Sequence, residues 1–575
     1  MNRIALITGI IIQLSVTTVF AQPYPKNYFG NPLDTPFVLA GTFGEIRNDH
    51  FHTGIDFSTG NQEGKPVYAA ADGYVSRIKV SASGFGKAMY ITHPNGYVTV
   101  YAHLKKYADA VEKYIHKIQY KKESFEFDEA LEPDKIKFKK GSVIAWSGNT
   151  GSTDGPHLHF EIRDARTEEP INPLLFGYSV TDNVKPEIKS VRFYPVPGQG
   201  VVVDADRPQS FDVVQSAGKF MIPVKEYIQV FGKIGFEFSM TDRQENNPAS
   251  LGVYSIQLSV DTQQVFSMKY DRLNFSDLRY ANAHIDYAAQ YDGEGVYERC
   301  FRLIGDKLKL YEDTSTHGYF EFLEDGVHDV ELTVKDFSGN TSVLNFQLLS
   351  YTSLASNVNQ VLPEDYFPMV PDKGLAIHKS DVEIIIPANA IYDFLLFTNS
   401  ASPAKPGYFS STFEIGDPHV PLHLPVTVSL KPRQLPDALK SKAVIVSFDK
   451  RNKPSFEGQE WNGDFLSAKT KHFGKFAVSV DTVAPVISNV IMPDEHGSGD
   501  RLISATISDD FSGIKSYRAT VDGHWLLMEY DAKNNLLTGD LKGIAENKTH
   551  TFEITVTDAV GNATILKHEI KAVLR

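Results

Sequence analysis

Read for its hydrophobic pattern, the chain is a succession of short runs in which apolar and polar residues alternate with a period of two. Thr99–His103 (TVYAH) and Val382–Ile386 (VEIII) are typical, and such runs are bounded by Gly, Asn, Asp and Pro, which end strands and favour turns. A helical period is hard to find at any length. The best stretch, Ala108–Ile118, gives only about three turns. The pattern predicts a mainly β protein.

Self-comparison divides the chain further. Asp182–Ile188 (DNVKPEI) resembles Asp481–Ile487 (DTVAPVI). Phe238–Asp242 (FSMTD), followed by Gly252–Ser255, resembles Ala505–Asp509 (ATISD), followed by Gly513–Ser516. Thr333–Asn340 (TVKDFSGN) matches Thr555–Asn562 (TVTDAVGN). Three matches in the same order mean two copies of one unit, at 182–350 and 481–575, the first with insertions. Asp-x-x-Gly-Asn suits a turn between strands, since Gly and Asn tolerate positive φ. Short strands joined this way suggest immunoglobulin-like sandwiches. A third β-rich unit, 355–480, lies between the copies after a Pro-rich start (Pro363, Pro368, Pro371). The expected role of these three units is scaffold or spacer, with envelope proteins as their candidate partners.

Residues 1–21 are the exception to the strand pattern. Arg3, a largely apolar run from Ile4 to Val19 and the small-residue site Val19-Phe20-Ala21 together predict a secretory signal peptide. No later stretch is apolar enough to span a membrane, so the mature chain is expected in the periplasm, the cell envelope or the exterior.

Composition narrows the chemistry. A length of 575 residues implies several domains, and aromatic residues at 12% are too many for a disordered chain. The net charge of −14 argues against a nucleic-acid partner or an anionic membrane surface. The one local exception, the Lys-rich stretch 117–140, is expected to be a solvated loop. The single cysteine, Cys300, excludes an internal disulfide and any Cys-built metal site. A metal would therefore sit on His, Asp and Glu. Seven of the 18 His (His50, His52, His93, His103, His116, His157, His159) fall between residues 50 and 159.

Three segments there carry the candidate chemistry. In RNDHFHTGIDFS, His52 and Asp56 are four apart, a spacing that shares a face on a helix or a strand. In GYVTVYAHL, Val98, Val100 and Ala102 should point one way, and Thr99, Tyr101 and His103 the other. In GNTGSTDGPHLHFEIR, a Gly-rich loop leads into a strand whose His157 and His159 face one side, with Leu158 and Phe160 turned to the core. Two neutral imidazoles and one carboxylate leave a bound Zn²⁺ with a net charge of about +1 and an open fourth position, the ligand count of a catalytic site. No H-E-x-x-H helix is present, so His103 and His157 are the available bases.

These segments resemble the M23 family of zinc metallopeptidases, of the lysostaphin and LytM type, which cut peptide bonds in bacterial peptidoglycan. The resemblance rests on His52-Thr53-Gly54-Ile55-Asp56, Tyr101-Ala102-His103-Leu104, Lys140-Gly141, Ser147-Gly148-Asn149-Thr150-Gly151 and Gly155-Pro156-His157-Leu158-His159-Phe160. It covers residues 36–175. It implies a LytM-like antiparallel β-sheet peptidase domain followed by about three β-sandwich-like domains. It further implies that His52, Asp56 and His159 are zinc ligands, that His103 and His157 are the catalytic histidines, and that the substrate is a stem peptide or cross-link of peptidoglycan. The non-catalytic alternative is a regulator or wall-binding scaffold that controls other hydrolases. The charged insertion 107–137 is expected as a loop or short helix beside the groove, able to tune substrate choice or act as a lid. Glu161 is expected to be structural, and His50 and His93 to lie outside the chemistry.

Overall fold

The structure is a computed structural model that describes residues 24–571 except 35, 246, 313–315, 360–361, 363–364, 493–500, 543 and 545–547. The expected export signal at 1–21 lies outside the described residues. Strands dominate, as the period-two pattern predicts, and among the described residues no helix is long and apolar enough to cross a membrane.

The N-terminal unit contains β1 (Leu39–Gly41), β2 (Ile55–Ser58), β3 (Pro66–Tyr68), β4 (Gly73–Val80), β5 (Lys87–Thr92), β6 (Tyr97–Ala102), β7 (Leu104–Tyr107), α1 (Asp109–Lys122), β8 (Phe127–Ala130), β9 (Lys137–Phe138), β10 (Val143–Ser147), β11 (His157–Asp164) and β12 (Pro170–Ile171). Its main sheet runs β1-β2-β11-β6-β5-β4-β8, all antiparallel, with β3-β10-β7 as a second small sheet. The alternation works as expected on β6 and β11. Val98, Val100 and Ala102 pack with Ala88 and Tyr90 on one face, while Tyr101, Leu158, Phe160 and Ile162 enter the main core. Phe160 meets Phe57 and Tyr101 edge-on, with ring centroids at 5.9 and 5.4 Å. Because Phe160 is fully buried, Phe160→Ala is expected to lose about 3–5 kcal/mol of stability, measured by urea unfolding.

The Lys-rich stretch differs from the expected solvated loop. Residues 109–122 are helix and 127–130 are strand. Val111, Ile115 and Gln119 form a buried stripe at i, i+4, i+8, and Asp109 and Glu112 in the first turn with Lys121 and Lys122 in the last suit the helix dipole. The lysines occupy the outer face. The helix outruns the expected Ala108–Ile118 because Gln119 stays buried, its amide donating to the Phe125 carbonyl at 2.9 Å.

Beyond the N-terminal unit, the long strands Glu187–Val202, Ile228–Thr241, Gly326–Lys335 and Thr341–Ser350 belong to an eleven-stranded sheet. Its core is continuous with that of the N-terminal unit. Residues 375–480 build two five-stranded sheets over a separate core, and residues 486–571 two four-stranded sheets over a third. The last unit folds back onto the first. Glu529 pairs with Lys87 at 2.9 Å, Arg518 with Glu123 at 2.6 Å, and Trp525 meets Tyr120 of α1 at 5.1 Å between ring centroids. Helix α1 thus serves as a docking surface for the C-terminal unit, a use the expected lid or specificity loop did not anticipate.

Candidate metal centre

The register of β2 against β11 sets Asp56 opposite His159. His52 comes from the turn just before β2. A Cβ at Gly54 would lie 2.4 Å from the Phe160 carbonyl and 3.0 Å from the His159 ring, so the glycine in His-Thr-Gly-Ile-Asp permits the close approach of the two segments. The result is a triangle of buried donor atoms. His52 Nε2 lies 2.9 Å from His159 Nδ1 and 3.1 Å from Asp56 Oδ1, and His159 Nδ1 lies 3.0 Å from Asp56 Oδ1.

The outer atoms show which way the lone pairs point. His52 Nδ1 donates to the Thr42 carbonyl at 2.7 Å, and His159 Nε2 donates to Glu161 Oε1 at 2.9 Å. Each ring therefore turns an unprotonated nitrogen inward when neutral, towards a carboxylate oxygen. Three such atoms repel one another unless a cation lies among them. Their spacing is close to the roughly 3.3 Å edge of a tetrahedron built on bonds of about 2.0–2.1 Å, so this donor set fits Zn²⁺. Without a metal the cluster holds a proton instead. Burial would disfavour charge on His159, yet its hydrogen bonds to Asp56 and Glu161 push it up to about 9. Burial likewise opposes ionisation of Asp56, but the charge of His52 and hydrogen bonds from His159 and His52 hold it well below the usual carboxylate range.

His103 and His157 stand beside this triangle, with ring centroids 4.8 Å apart. His103 Nδ1 donates to the Thr150 carbonyl at 2.9 Å and His157 Nδ1 to the Gly155 carbonyl at 2.8 Å, so each neutral ring keeps an unprotonated Nε2, that of His157 lying 3.5 Å from Asp56 Oδ1. Burial pushes His103 down to about 3 and lowers His157 as well, so both are neutral at pH 7. The His157 side chain is 16% exposed against 3% for His159, which puts the mouth of the site on the His157 side. The Phe85 ring covers His159 at 5.0 Å. His103 takes a left-handed φ of 58° just after β6, and its amide donates to the Phe85 carbonyl at 3.0 Å. Gly151 holds the loop that supplies the Thr150 carbonyl. Its φ is 77°, and a Cβ there would lie 2.3 Å from the Gly84 carbonyl oxygen.

All five residues singled out in the sequence thus meet at one place. Other contributors were not legible. Arg47 Nη2 donates to Asp56 Oδ2 at 3.0 Å, and nothing in its spacing marks it. Glu161 had a signal, two residues past His159 on the same face. It is fully buried, accepts from Thr53 and Arg163 at 2.5 Å each, and acts by orienting His159. Glu161→Gln keeps the size but removes the charge. Its expected effect is a loss of about 10–100-fold in metal affinity, measured by competition with a chromophoric chelator. His50 is exposed beside Asp49, and His93 is buried between Thr99 and the Asp72 carbonyl; neither joins the site.

Residues 50–120 match the profile of peptidase family M23, and residues 368–481 that of a Zu5-like domain. An uncharacterized metalloprotease of Haemophilus influenzae is 36% identical over 129 residues, 22% of each chain. DD-carboxypeptidase/endopeptidase Mpg of Neisseria meningitidis serogroup B is 34% identical over 123 residues, 21% of this chain and 22% of that one. Peptidoglycan DD-endopeptidase ShyC of Vibrio cholerae is 30% identical over 144 residues, 24% of this chain and 27% of that one. The chain thus spans about a quarter or less of the length of these relatives. The family match covers His52, Asp56 and His103 of the site just described, and it places a peptidase family M23 domain in the N-terminal unit of this chain.

Proposed function

We propose that the N-terminal unit is a zinc endopeptidase acting on stem peptides or peptide cross-links of bacterial peptidoglycan. The observation that carries this is the convergence of three inward lone pairs, from His52, Asp56 and His159, beside two neutral histidines at the mouth of the same pocket. Zn²⁺ held there supplies Lewis acidity toward a peptide carbonyl and toward water. The chain's own residues do the rest. His103 and His157 each present an unprotonated Nε2, and one of them takes the proton of the attacking water. Its Nε2–H then hydrogen-bonds the oxyanion formed at the scissile carbon and can return the proton to the leaving amine. The Thr150 and Gly155 carbonyls hold the two rings so that Nε2, and not Nδ1, faces the substrate. Relatives named as peptidoglycan endopeptidases support the substrate class. Zymography on purified peptidoglycan tests the proposal. Wild type should clear the gel and lose clearing with a chelator. Clearing that survives chelation would overturn the zinc mechanism. An inactive wild type that stimulates other wall hydrolases would favour the regulator.

A further inference from the structure

The three matched segments of the repeat each contribute one aspartate, and the fold brings the three together twice. In the first copy these are Asp182, Asp242 and Asp336; in the second, Asp481, Asp509 and Asp558. Within each group one carboxylate oxygen from each aspartate lies within 4.8 Å of the other two. That is the largest separation two oxygens can have across a cation bound at about 2.4 Å. None of the six forms an ion pair among the described residues, although Asp242, Asp336, Asp481 and Asp558 are all at least 96% buried. Three close carboxylates with no lysine or arginine to offset them are costly in such surroundings.

Turn geometry alone does not account for the arrangement. Local hydrogen bonds serve five of the six: Asn340 binds Asp336 and Asn562 binds Asp558 through both backbone and side chain, and backbone amides donate to Asp182 (Val184), Asp481 (Val483 and Ser512) and Asp509 (Phe511 and Gly513). Asp242 is different. It is 4% exposed, and its Oδ1 is buried without any hydrogen-bond partner. A cavity of about 30 Å³ reaches Asp182, Asp242 and Asp336 and is otherwise lined largely by apolar side chains, among them Leu39, Leu174 and Leu251. That volume suits a single ion or water. In the second copy the buried Ser512 Oγ also lacks a partner, and the amide of the same residue donates to Asp481 Oδ2 at 3.2 Å.

We propose that each aspartate triad is a calcium site, one per copy of the repeat. Oxygen-only ligands favour a hard cation over zinc. The mostly buried, all-protein setting favours Ca²⁺ over Mg²⁺, which keeps several of its waters. The first site also bears on the metal centre. Two residues beyond Asp242, Gln244 accepts from the Leu39 amide at 2.9 Å and donates to the Phe37 carbonyl at 3.0 Å. Leu39 begins β1, which pairs with β2 across Gly41 and Asp56. Calcium at this site thus braces the edge strand beside a zinc ligand.

Calcium titration of full-length, zinc-loaded protein by calorimetry tests this. Wild type should bind two equivalents of Ca²⁺, with weaker binding of Mg²⁺, and its Tm should rise with calcium. Asp336→Asn and Asp558→Asn should each remove one equivalent, and the double variant should remove both. Absence of saturable binding by wild type at millimolar calcium would overturn the proposal, whether or not the variants fold. So would two equivalents still bound by a double variant with native circular dichroism.

Discussion

Replacing His159 by Ala is expected to give a folded protein that retains no zinc and loses more than about 10³-fold in peptidase activity. The size follows from what the residue holds. Its Nδ1 is one of three inward donors, and two remaining ligands cannot close a tetrahedral site. Loss of the metal removes the Lewis acid and the charge that stabilises the oxyanion, and a single such interaction is worth about 10²–10³-fold. The fold should survive, because Leu158 and Phe160 on the other face of β11 make the core contacts. Metal analysis, near-native circular dichroism and activity on one sample decide the matter. The same residue sets the pH dependence of metal uptake. In the metal-free site His159 titrates near 9, so below that pH zinc must displace a proton. Zinc affinity should therefore fall about tenfold for each pH unit below 9.

His103→Ala is expected to separate metal from chemistry. His103 is no part of the donor triangle, so zinc should remain at one equivalent. In the proposed mechanism its Nε2 acts as proton acceptor or oxyanion donor, and loss of such a group costs about 10²–10⁴-fold. The loss should fall on kcat with little change in KM, since the ring acts on the transition state. Steady-state kinetics on a cross-linked peptide, alongside zinc analysis, checks both parts. His103→Ala protein that lacks zinc would instead place His103 among the groups that hold the metal.

Much of this was legible because strands have a period of two. H-x-H followed by Phe160 showed that His157 and His159 share a face opposite the core residues, and β11 is built that way. The order of the motifs led to the same five side chains that the sheet brings together. What was not legible is what arrives from outside each motif. The Thr42 and Thr150 carbonyls fix the His52 and His103 tautomers, yet backbone oxygens leave no mark in a sequence. Arg47 reaches Asp56 across a turn, by a path that no periodicity encodes. Helix α1 was underestimated because its lysines look like a solvated loop until Val111, Ile115 and Gln119 are seen to share one buried stripe. The repeats were visible as matched strings, but Asp182, Asp242 and Asp336 are far apart in the chain, and only the fold makes them neighbours.

The convergence of His52, Asp56 and His159 underlies the proposed zinc endopeptidase activity toward peptidoglycan. Mass spectrometry of muropeptides, released from purified peptidoglycan by protein of measured zinc content, tests it most directly. With one zinc per chain, wild type should convert cross-linked muropeptides into products with new amino termini at a peptide bond, and His159→Ala should leave them intact. Unchanged muropeptides in the presence of zinc-loaded wild type, or identical products from the His159→Ala protein, would contradict the account.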